Sequence, residues 1–228
     1  MRRATRSSTK PDISWATPLY EFLRQCNASS LEKQILDCGA GGREPPLALF
    51  YQYGYQTYGI EIAEEALSEA TRFCRERAMH LNIFRGDMRH IPFTSESFSF
   101  VYAFNSIMFM TKPDVALSMG EIERVLKPGG LVYVNFVSVD EPDKGPFCET
   151  APARELLKSE RFAQHKDHEP DAFFADLTVV LKQKRYEDKL HGSKRSLQVY
   201  IEYIAKKKRD GGAYGSQSGT GSDPVLRC

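Results

Sequence analysis

The chain has 228 residues, of which 41% are hydrophobic, and a formal net charge of +1 at pH 7. This length and composition predict one α/β domain with terminal tails. A net charge so close to zero gives no long-range field that would attract nucleic acid or an anionic membrane, so we expect neither as a partner. The apolar runs fall far short of the roughly 20 residues that a membrane span requires.

The five cysteines indicate the redox compartment. They show no C-x-x-C spacing, and their number is odd. Such a set predicts reduced thiols rather than a disulfide framework or a zinc site, and we therefore expect a cytoplasmic protein with no metal. The amino-terminal residues also lack the apolar core of a secretory signal.

Both ends of the chain differ in composition from its middle. Residues 1–10 are rich in Arg, Ser and Thr, and residues 210–228 are rich in Gly and Ser. Neither segment can bury enough apolar surface to fold. We therefore predict a disordered basic tail over 1–12, a single domain over 13–209, and a disordered tail over 210–228.

The first predicted element is a helix over residues 15–23. Leu19 and Phe22 fall on its apolar face at helical spacing. Trp15 and Tyr20 belong to the same segment, and two interpretations of them stay open. They line a substrate pocket, or they pack on the edge of the sheet.

A glycine-rich turn follows the first predicted strand, which covers residues 34–38. Asp37 lies near the end of this strand, and Gly39 and Gly41 come next, before a helix that two prolines introduce. Glycines at such a turn allow a positive φ and the close approach of a ligand. A dinucleotide fingerprint would place its third glycine at Glu44, where a carboxylate is a poor neighbour for a diphosphate. Asp37 would instead attract a cation.

Three further predicted strands end in polar residues, at Glu61, Asp87 and Asn105. The segments concerned are residues 55–61, 81–88 and 98–105. The carboxyl ends of parallel strands meet at one edge of a sheet, so we expect these side chains to lie close together. An acid about 20 residues after a glycine turn, as Glu61 is, can accept hydrogen bonds from both ribose hydroxyls of a nucleotide. For Asp87 the alternative to a binding role is that of an ordinary turn aspartate.

The next helix is predicted to begin at Thr111 and to stop at residues 127–130. Thr111 is a suitable N-cap, and Pro113 suits the first turn. Glycine is available at the other end for a left-handed cap. The apolar residues of this segment recur at helical spacing and predict a core stripe of Val115, Met119, Ile122 and Val125. A fifth strand is predicted over residues 131–137.

The last predicted elements form a β-hairpin. Residues 173–186 and 196–205 read as two strands joined by a glycine-containing loop around residues 191–193. Apolar and polar residues alternate between Leu197 and Tyr203, which predicts a strand with one buried face. A dinucleotide-dependent dehydrogenase would ordinarily continue with parallel βαβ units instead.

Two of these stretches resemble a known family. Asp37-x-Gly39-x-Gly41 is similar to motif I of the class I S-adenosylmethionine-dependent methyltransferases, although Arg43 stands where the family has its third glycine. The Leu-Lys-Pro-Gly-Gly run that begins at Leu126 resembles the element before strand five in the type 11 small-molecule methyltransferases, a group that includes the ubiquinone and menaquinone biosynthesis enzymes.

The resemblance implies a fold and a cofactor. The fold would be α/β, a Rossmann-like doubly wound seven-stranded sheet with an antiparallel C-terminal hairpin, in three α/β/α layers. The cofactor would be S-adenosyl-L-methionine, with Glu61 at its ribose and Asp87 at its adenine amine. The cofactor-binding residues implied in this way are Asp37, Gly39, Ala40, Gly41, Glu61, Ile62, Asp87, Met88 and Asn105.

The resemblance also places substrate recognition after the fifth strand, in a segment of about 138–172. With Trp15 and Tyr20 from the first helix, Asp140 would then line the substrate pocket. Methyl transfer from a sulfonium needs no obligatory catalytic side chain, but an acceptor that must lose a proton would use a base. His165 and His168 are the candidates for that base.

Several functions are compatible with this sequence. The first is transfer of a methyl group to a small-molecule acceptor by in-line displacement, by a monomer or a homodimer. The alternatives are a methyltransferase that acts on tRNA or protein, and a non-catalytic relative that only binds the cofactor. Arg43 in motif I keeps the last alternative open. Asn105 is not followed by Pro-Pro-Tyr, which argues against methylation of an exocyclic amine by the enzymes that carry that motif.

Overall fold

The computed structural model describes residues 17–141, 163–191 and 194–209. Both predicted tails, Trp15 and most of the predicted substrate segment lie outside the described residues. The strands are β1 (Gln34–Cys38), β2 (Gln56–Glu61), β3 (Ile83–Arg85), β4 (Phe98–Ala103), β5 (Leu126–Ser138), β6 (Gln164–His165), β7 (Leu177–His191) and β8 (Lys194–Lys207). The α-helices are α1 (Thr17–Asn27), α2 (Leu47–Gln52), α3 (Glu64–Arg77) and α4 (Lys112–Val125). Short 3-10 helices cover Ile107–Phe109 and Glu169–Phe174.

The strands form one mixed sheet in the order β3-β2-β1-β4-β5-β8-β7. Strands β1 to β5 are parallel, and β8 runs antiparallel to both β5 and β7. The predicted doubly wound sheet with an antiparallel C-terminal hairpin is therefore confirmed. The additional β6 is a two-residue strand beside the end of β5. The strand order reverses between β1 and β4, which is where open α/β sheets bind ligands.

Helices cover both faces of the sheet and bury a separate apolar core on each. One core contains Phe22 of α1 and Phe50 of α2, whose rings contact Tyr102 of β4. The other core lies under α4, and it contains the whole predicted stripe of Val115, Met119, Ile122 and Val125. The hydroxyl of Thr111 caps α4 by accepting the backbone N–H of Asp114, as expected from the sequence.

The end of α4 differs from the prediction. The helix ends at Val125, and Leu126 is already extended and pairs with Phe98 of β4. A Cβ on Gly130 would lie 2.7 Å from the carbonyl oxygen of Ser99, so the backbones of β5 and β4 approach too closely for a side chain there. The register of this pair shifts between Phe98 and Phe100. The glycines therefore belong to an irregular start of β5, not to a helix cap.

Strand β8 also differs from the prediction, because both of its faces are buried. It lies between β5 and β7, so the polar members of its alternating pattern are covered as well. Glu202 has 0% exposure and accepts hydrogen bonds from Tyr133 Oη, Gln183 Nε2 and Arg185 Nε. The alternation of residues identifies the two faces of a strand. It cannot show that side chains on neighbouring strands form hydrogen bonds with the residues of the polar face.

Candidate functional site

A cleft of about 660 Å³ lies at the carboxyl ends of the parallel strands. The glycine turn after β1 forms one wall, and the residues that follow β2, β3 and β4 form the others. The described residues that line it are Gly39, Gly41, Gly42, Ile60, Glu61, Ile62, Ala63, Ala66, Gly86, Asp87, Met88, Asn105, Ser106, Phe109 and Met110. The predicted residues Gly39, Gly41, Glu61, Ile62, Asp87, Met88 and Asn105 are thus brought together.

The glycine turn is tightly packed beside the loop after β4. A Cβ on Gly39, whose φ is +100°, would lie 2.3 Å from the Cβ of Ser106. Gly42 takes the second positive φ of the turn, +98°. Arg43 has no positive φ and points outward, where its Nε lies 2.9 Å from Glu69 Oε1 of α3. The turn therefore uses Gly42 in place of a glycine at position 43.

Glu61 braces the glycine turn from the end of β2. Its Oε2 accepts the backbone N–H of Gly41 at 3.1 Å, and its Oε1 accepts that of Ala63 at 2.8 Å. A Cβ on Gly41 would lie 2.6 Å from Glu61 Oε2, so glycine makes this contact possible. The carboxylate is thereby held at the wall of the cleft.

Asp87 lines the cleft after β3 and is held by an arginine that the sequence reading did not identify. Arg89 Nε and Nη2 donate to Asp87 Oδ1 and Oδ2 at 3.0 and 2.6 Å, and Arg89 Nη1 donates to Asp114 Oδ1 of α4 at 3.2 Å. The Arg89 hydrogen bonds hold the pKa of Asp87 below its usual value. Asp87 is therefore an ionised hydrogen-bond acceptor at neutral pH.

The loop after β4 is fixed on both sides. Asn105 has a φ of +54°, and its backbone N–H donates to Asn135 Oδ1 of β5 at 2.8 Å. Ser106 Oγ donates to the carbonyl of Cys38 in β1 at 2.6 Å. The sequence reading named Asn105 but missed Ser106, Asn135 and the apolar wall of Phe109 and Met110. For Ser106, Phe109 and Met110 the available signal was their position shortly after the end of β4, whereas Asn135 lies within β5 and gave no such signal.

Asp37 and Ala40 belong to the layer beneath the cleft. Asp37 is buried, and the hydroxyl of Tyr102 donates to its Oδ2 at 2.7 Å. Burial raises the pKa of Asp37 to about 8. Ala40 packs against Gly59 of β2, where an added Cβ on Gly59 would lie 2.5 Å from the Cβ of Ala40. Neither residue is among the described residues that line the cleft.

Two of the residues expected at the substrate pocket, Tyr20 and Asp140, are described, and neither lines this cleft. Tyr20 is exposed on α1. Asp140 is exposed just after β5, where it pairs with Lys184 of β7. Asp140 therefore lies beside β7, and local sequence could not show which of these side chains reach the cleft.

The two histidines predicted as possible bases lie in different surroundings. His165 is buried against the rings of Phe136 and Phe173, and burial lowers its pKa. His168 is exposed, with its Nδ1 3.1 Å from Asp171 Oδ2. Neither histidine is among the described residues that line the cleft.

Residues 36–134 match a family model described as a methyltransferase domain. This range includes all the described residues that line the cleft, and the strand order is that of the predicted class. Residues 36–134 are a class I methyltransferase domain. The resemblance read from motif I and from the run at Leu126 is thereby confirmed.

Curated relatives of this methyltransferase domain include methyltransferase GfsG of Streptomyces halstedii, which is 26% identical over 173 residues, or 70% of this chain and 60% of GfsG. Sterol 24-C-methyltransferase erg6 of Schizosaccharomyces pombe is 29% identical over 113 residues, or 48% of this chain and 29% of that protein. The chain thus covers between 29% and 60% of the length of these two relatives.

The fold is shared with the 1,6-didemethyltoxoflavin-N1-methyltransferase of Burkholderia thailandensis, solved with bound 1,6-didemethyltoxoflavin and S-adenosylhomocysteine. The TM-score is 0.61 at 16% identity, over 84% of this chain and 77% of that one. Among the described residues of the chain, no helix combines the length and apolar character needed to cross a membrane.

Proposed function

We propose that this protein is an S-adenosylmethionine-dependent methyltransferase that moves a methyl group to a small-molecule acceptor by in-line displacement. The observation that carries the proposal is the shared cleft of about 660 Å³ between the glycine turn and two strand-end carboxylates, Glu61 and Asp87. A cleft of this size falls in the range of roughly 300–1,000 Å³ found for sites that bind small molecules.

The residues of the cleft fit the proposed cofactor. Each oxygen of Glu61 accepts one backbone N–H, which leaves lone pairs for the two ribose hydroxyls. Asp87, ionised beside Arg89, would accept a hydrogen bond from the adenine amine. Ile62 and Met88 would pack on the adenine ring. The absence of a side chain at Gly39 and Gly41 lets the ligand approach the turn.

The bound cofactor would supply a methyl group already activated on a sulfonium. What remains for the chain is to hold the acceptor at attack distance and to exclude water. The apolar wall of Phe109 and Met110 is suited to the second task. The names of the sterol 24-C-methyltransferase and of the toxoflavin enzyme support a small acceptor, and the chain's near-zero charge agrees with it. We further propose a cytoplasmic protein that acts as a monomer or homodimer.

Calorimetric titration with S-adenosylmethionine and S-adenosylhomocysteine tests the proposal. We expect micromolar binding of both, and a loss of at least about tenfold in Glu61→Ala, because a carboxylate that accepts hydrogen bonds from the ligand and braces the turn is removed. Glu69→Ala is the matched control, since Glu69 pairs with Arg43 beside the same turn but does not line the cleft.

Binding by the wild type would justify a screen of small acceptors with a labelled methyl donor. Failure of the wild type to bind either ligand would refute the proposal. Equal loss in Glu61→Ala and Glu69→Ala would refute the role of Glu61.

A further inference from the structure

Two asparagines from neighbouring strands form a reciprocal pair at one end of the cleft. The backbone N–H of Asn105 donates to Asn135 Oδ1 at 2.8 Å, and Asn135 Nδ2 donates to Asn105 Oδ1 at 2.6 Å. Asn105 lines the cleft, whereas Asn135 lies in β5 with 0% exposure. A buried amide in a strand that is otherwise mostly apolar is costly unless both of its groups are paired, and here both are.

This pair determines which way each amide faces. A backbone N–H can only donate, so Asn135 must turn its oxygen toward Asn105 and is left with Nδ2 for the second bond. That bond requires the oxygen of the Asn105 side chain, which assigns its orientation. Asn105 Nδ2 has no hydrogen-bond partner within residues 17–141, 163–191 and 194–209. Asn135 therefore leaves Asn105 with a free amide donor.

The other polar side chains of the lining cannot take the place of this donor. Glu61 and Asp87 only accept hydrogen bonds, and the Ser106 hydroxyl already donates to Cys38. Among the described lining residues there is neither a lysine nor an arginine. A ligand carboxylate in this cleft would therefore find its side-chain donor at Asn105.

We propose that Asn105 Nδ2 donates to the carboxylate of the cofactor's amino-acid part, and that Asn135 is the positioning residue that orients it. This inference rests on the proposed function. The Asn105 loop packs on Gly39, which places the donor beside the start of the glycine turn. The alternative partner of this donor is an oxygen of the methyl acceptor, and the experiment below distinguishes the two.

Asn135→Asp tests the inference without touching the cleft. One oxygen of the new carboxyl group keeps the Asn105 N–H, and once the group is ionised the other oxygen can only accept. Burial favours the protonated form, whose O–H would donate as Asn135 Nδ2 does, so the affinities are compared at alkaline pH, where the group is ionised. Asn105 must then turn its own Nδ2 toward β5 and present its oxygen to the cleft. That oxygen would repel the ligand carboxylate, because both groups only accept hydrogen bonds. We compare S-adenosylhomocysteine with 5′-methylthioadenosine, which retains the adenosine and sulfur but has no carboxylate.

The expected result is a fall of about 10- to 100-fold in the affinity for S-adenosylhomocysteine, the range for losing a hydrogen bond to a charged group. The affinity for 5′-methylthioadenosine should not change. Asn82→Asp is the matched control, because Asn82 also has a positive φ, +53°, and uses its Nδ2 in a hydrogen bond to Thr57, but lies outside the lining. Both affinities should survive that change.

A second variant decides the matter if Asn135→Asp does not fold. Asn105→Gly permits the positive φ and removes the donor, so the same selective loss is expected. Equal loss for both ligands, or an unchanged ratio of the two affinities in Asn105→Gly, would overturn the inference and leave the acceptor as the partner of this amide. Failure of the wild type to bind either ligand would instead overturn the proposed function, and the inference with it.

Discussion

Gly41 and Gly120 show how the same added carbon has opposite effects at two positions. At Gly41 a Cβ would lie 2.6 Å from both Glu61 Oε2 and the Cβ of Ala66, while at Gly120 on α4 it would meet nothing within 4 Å. We expect Gly41→Ala to displace the Glu61 carboxylate, to lower cofactor affinity by at least about tenfold, and to cost roughly 1–3 kcal/mol of stability through overpacking.

Gly120→Ala is the control, and we expect it to stabilise the protein by about 0.5–1 kcal/mol, because alanine loses less backbone freedom than glycine in a helix. Cofactor affinity should stay at the wild-type value. Calorimetric titration and urea unfolding measure the two quantities. Unchanged affinity in Gly41→Ala would contradict the role of the Glu61 contact.

Asp37 predicts a dependence of stability on pH. Burial raises its pKa from 3.8 in the reference state to about 8 in the folded state. Between these values the folded protein binds a proton that the unfolded chain does not, so this group makes the free energy of unfolding fall as pH rises, by up to about 1.4 kcal/mol per pH unit. Above pH 8 its contribution is constant.

Asp37→Asn removes the titratable carboxyl group but keeps an oxygen that accepts the hydrogen bond from the Tyr102 hydroxyl. The difference in unfolding free energy between the variant and the wild type should therefore grow in favour of the variant from pH 5 to about 8. Urea unfolding at several pH values measures it. A difference that stays constant over that range would mean that Asp37 is already ionised when buried.

At the residue scale, the sequence identifies groups but not their states. Glu61 and Asp87 were predicted from their position at strand ends, and both line the cleft. The protonation of Asp37 follows from its burial, its hydrogen-bond donor Tyr102 is 65 residues away, and the orientation of Asn105 depends on Asn135, 30 residues away. Such partners are set by strand pairing, which local spacing does not contain.

At the scale of elements, hydrophobic period and turn chemistry predicted the strand-turn-helix units and the C-terminal hairpin. The errors fall where strands pair with other strands. The start of β5 depends on its fit to β4 at Gly130, and the burial of β8 depends on its place between β5 and β7. A period of two residues reports which side chains share a face, not what covers that face.

The buried carboxylate of β8 gives a prediction at this scale. Glu202→Ala would leave Arg185 and the hydroxyl of Tyr133 without their buried acceptor, and breaking such a pair costs about 3–5 kcal/mol. Urea unfolding of this variant should show that loss. Glu21→Ala, which breaks the exposed pair with Arg24, should change stability little. Similar effects of both variants would mean that Glu202 is not a strong link between β5, β7 and β8.

At the scale of the whole molecule, the sheet topology was predicted through the resemblance to the methyltransferase family, and the observed strand order confirms it. The position of the candidate bases was not predictable. His165 is buried under Phe173, and His168 lies on the outer surface beside Asp171. Both positions follow from the pairing of β6 with β5 and from the 3-10 helix that comes next, which local sequence did not indicate.

The described lining of the cleft begins at Gly39 and ends at Met110, inside the stretch that matches the methyltransferase family. The strands from β6 to β8 contribute none of these described residues, and they lie beyond that stretch. Under the proposed function, substitutions in β6 to β8 can therefore change which acceptor is bound without altering a described residue of the cleft. Asn135, one residue past the matched stretch, is the exception, because it orients the side chain of Asn105 in the cleft. A substitution at Asn135 would therefore change the cleft from outside the matched stretch.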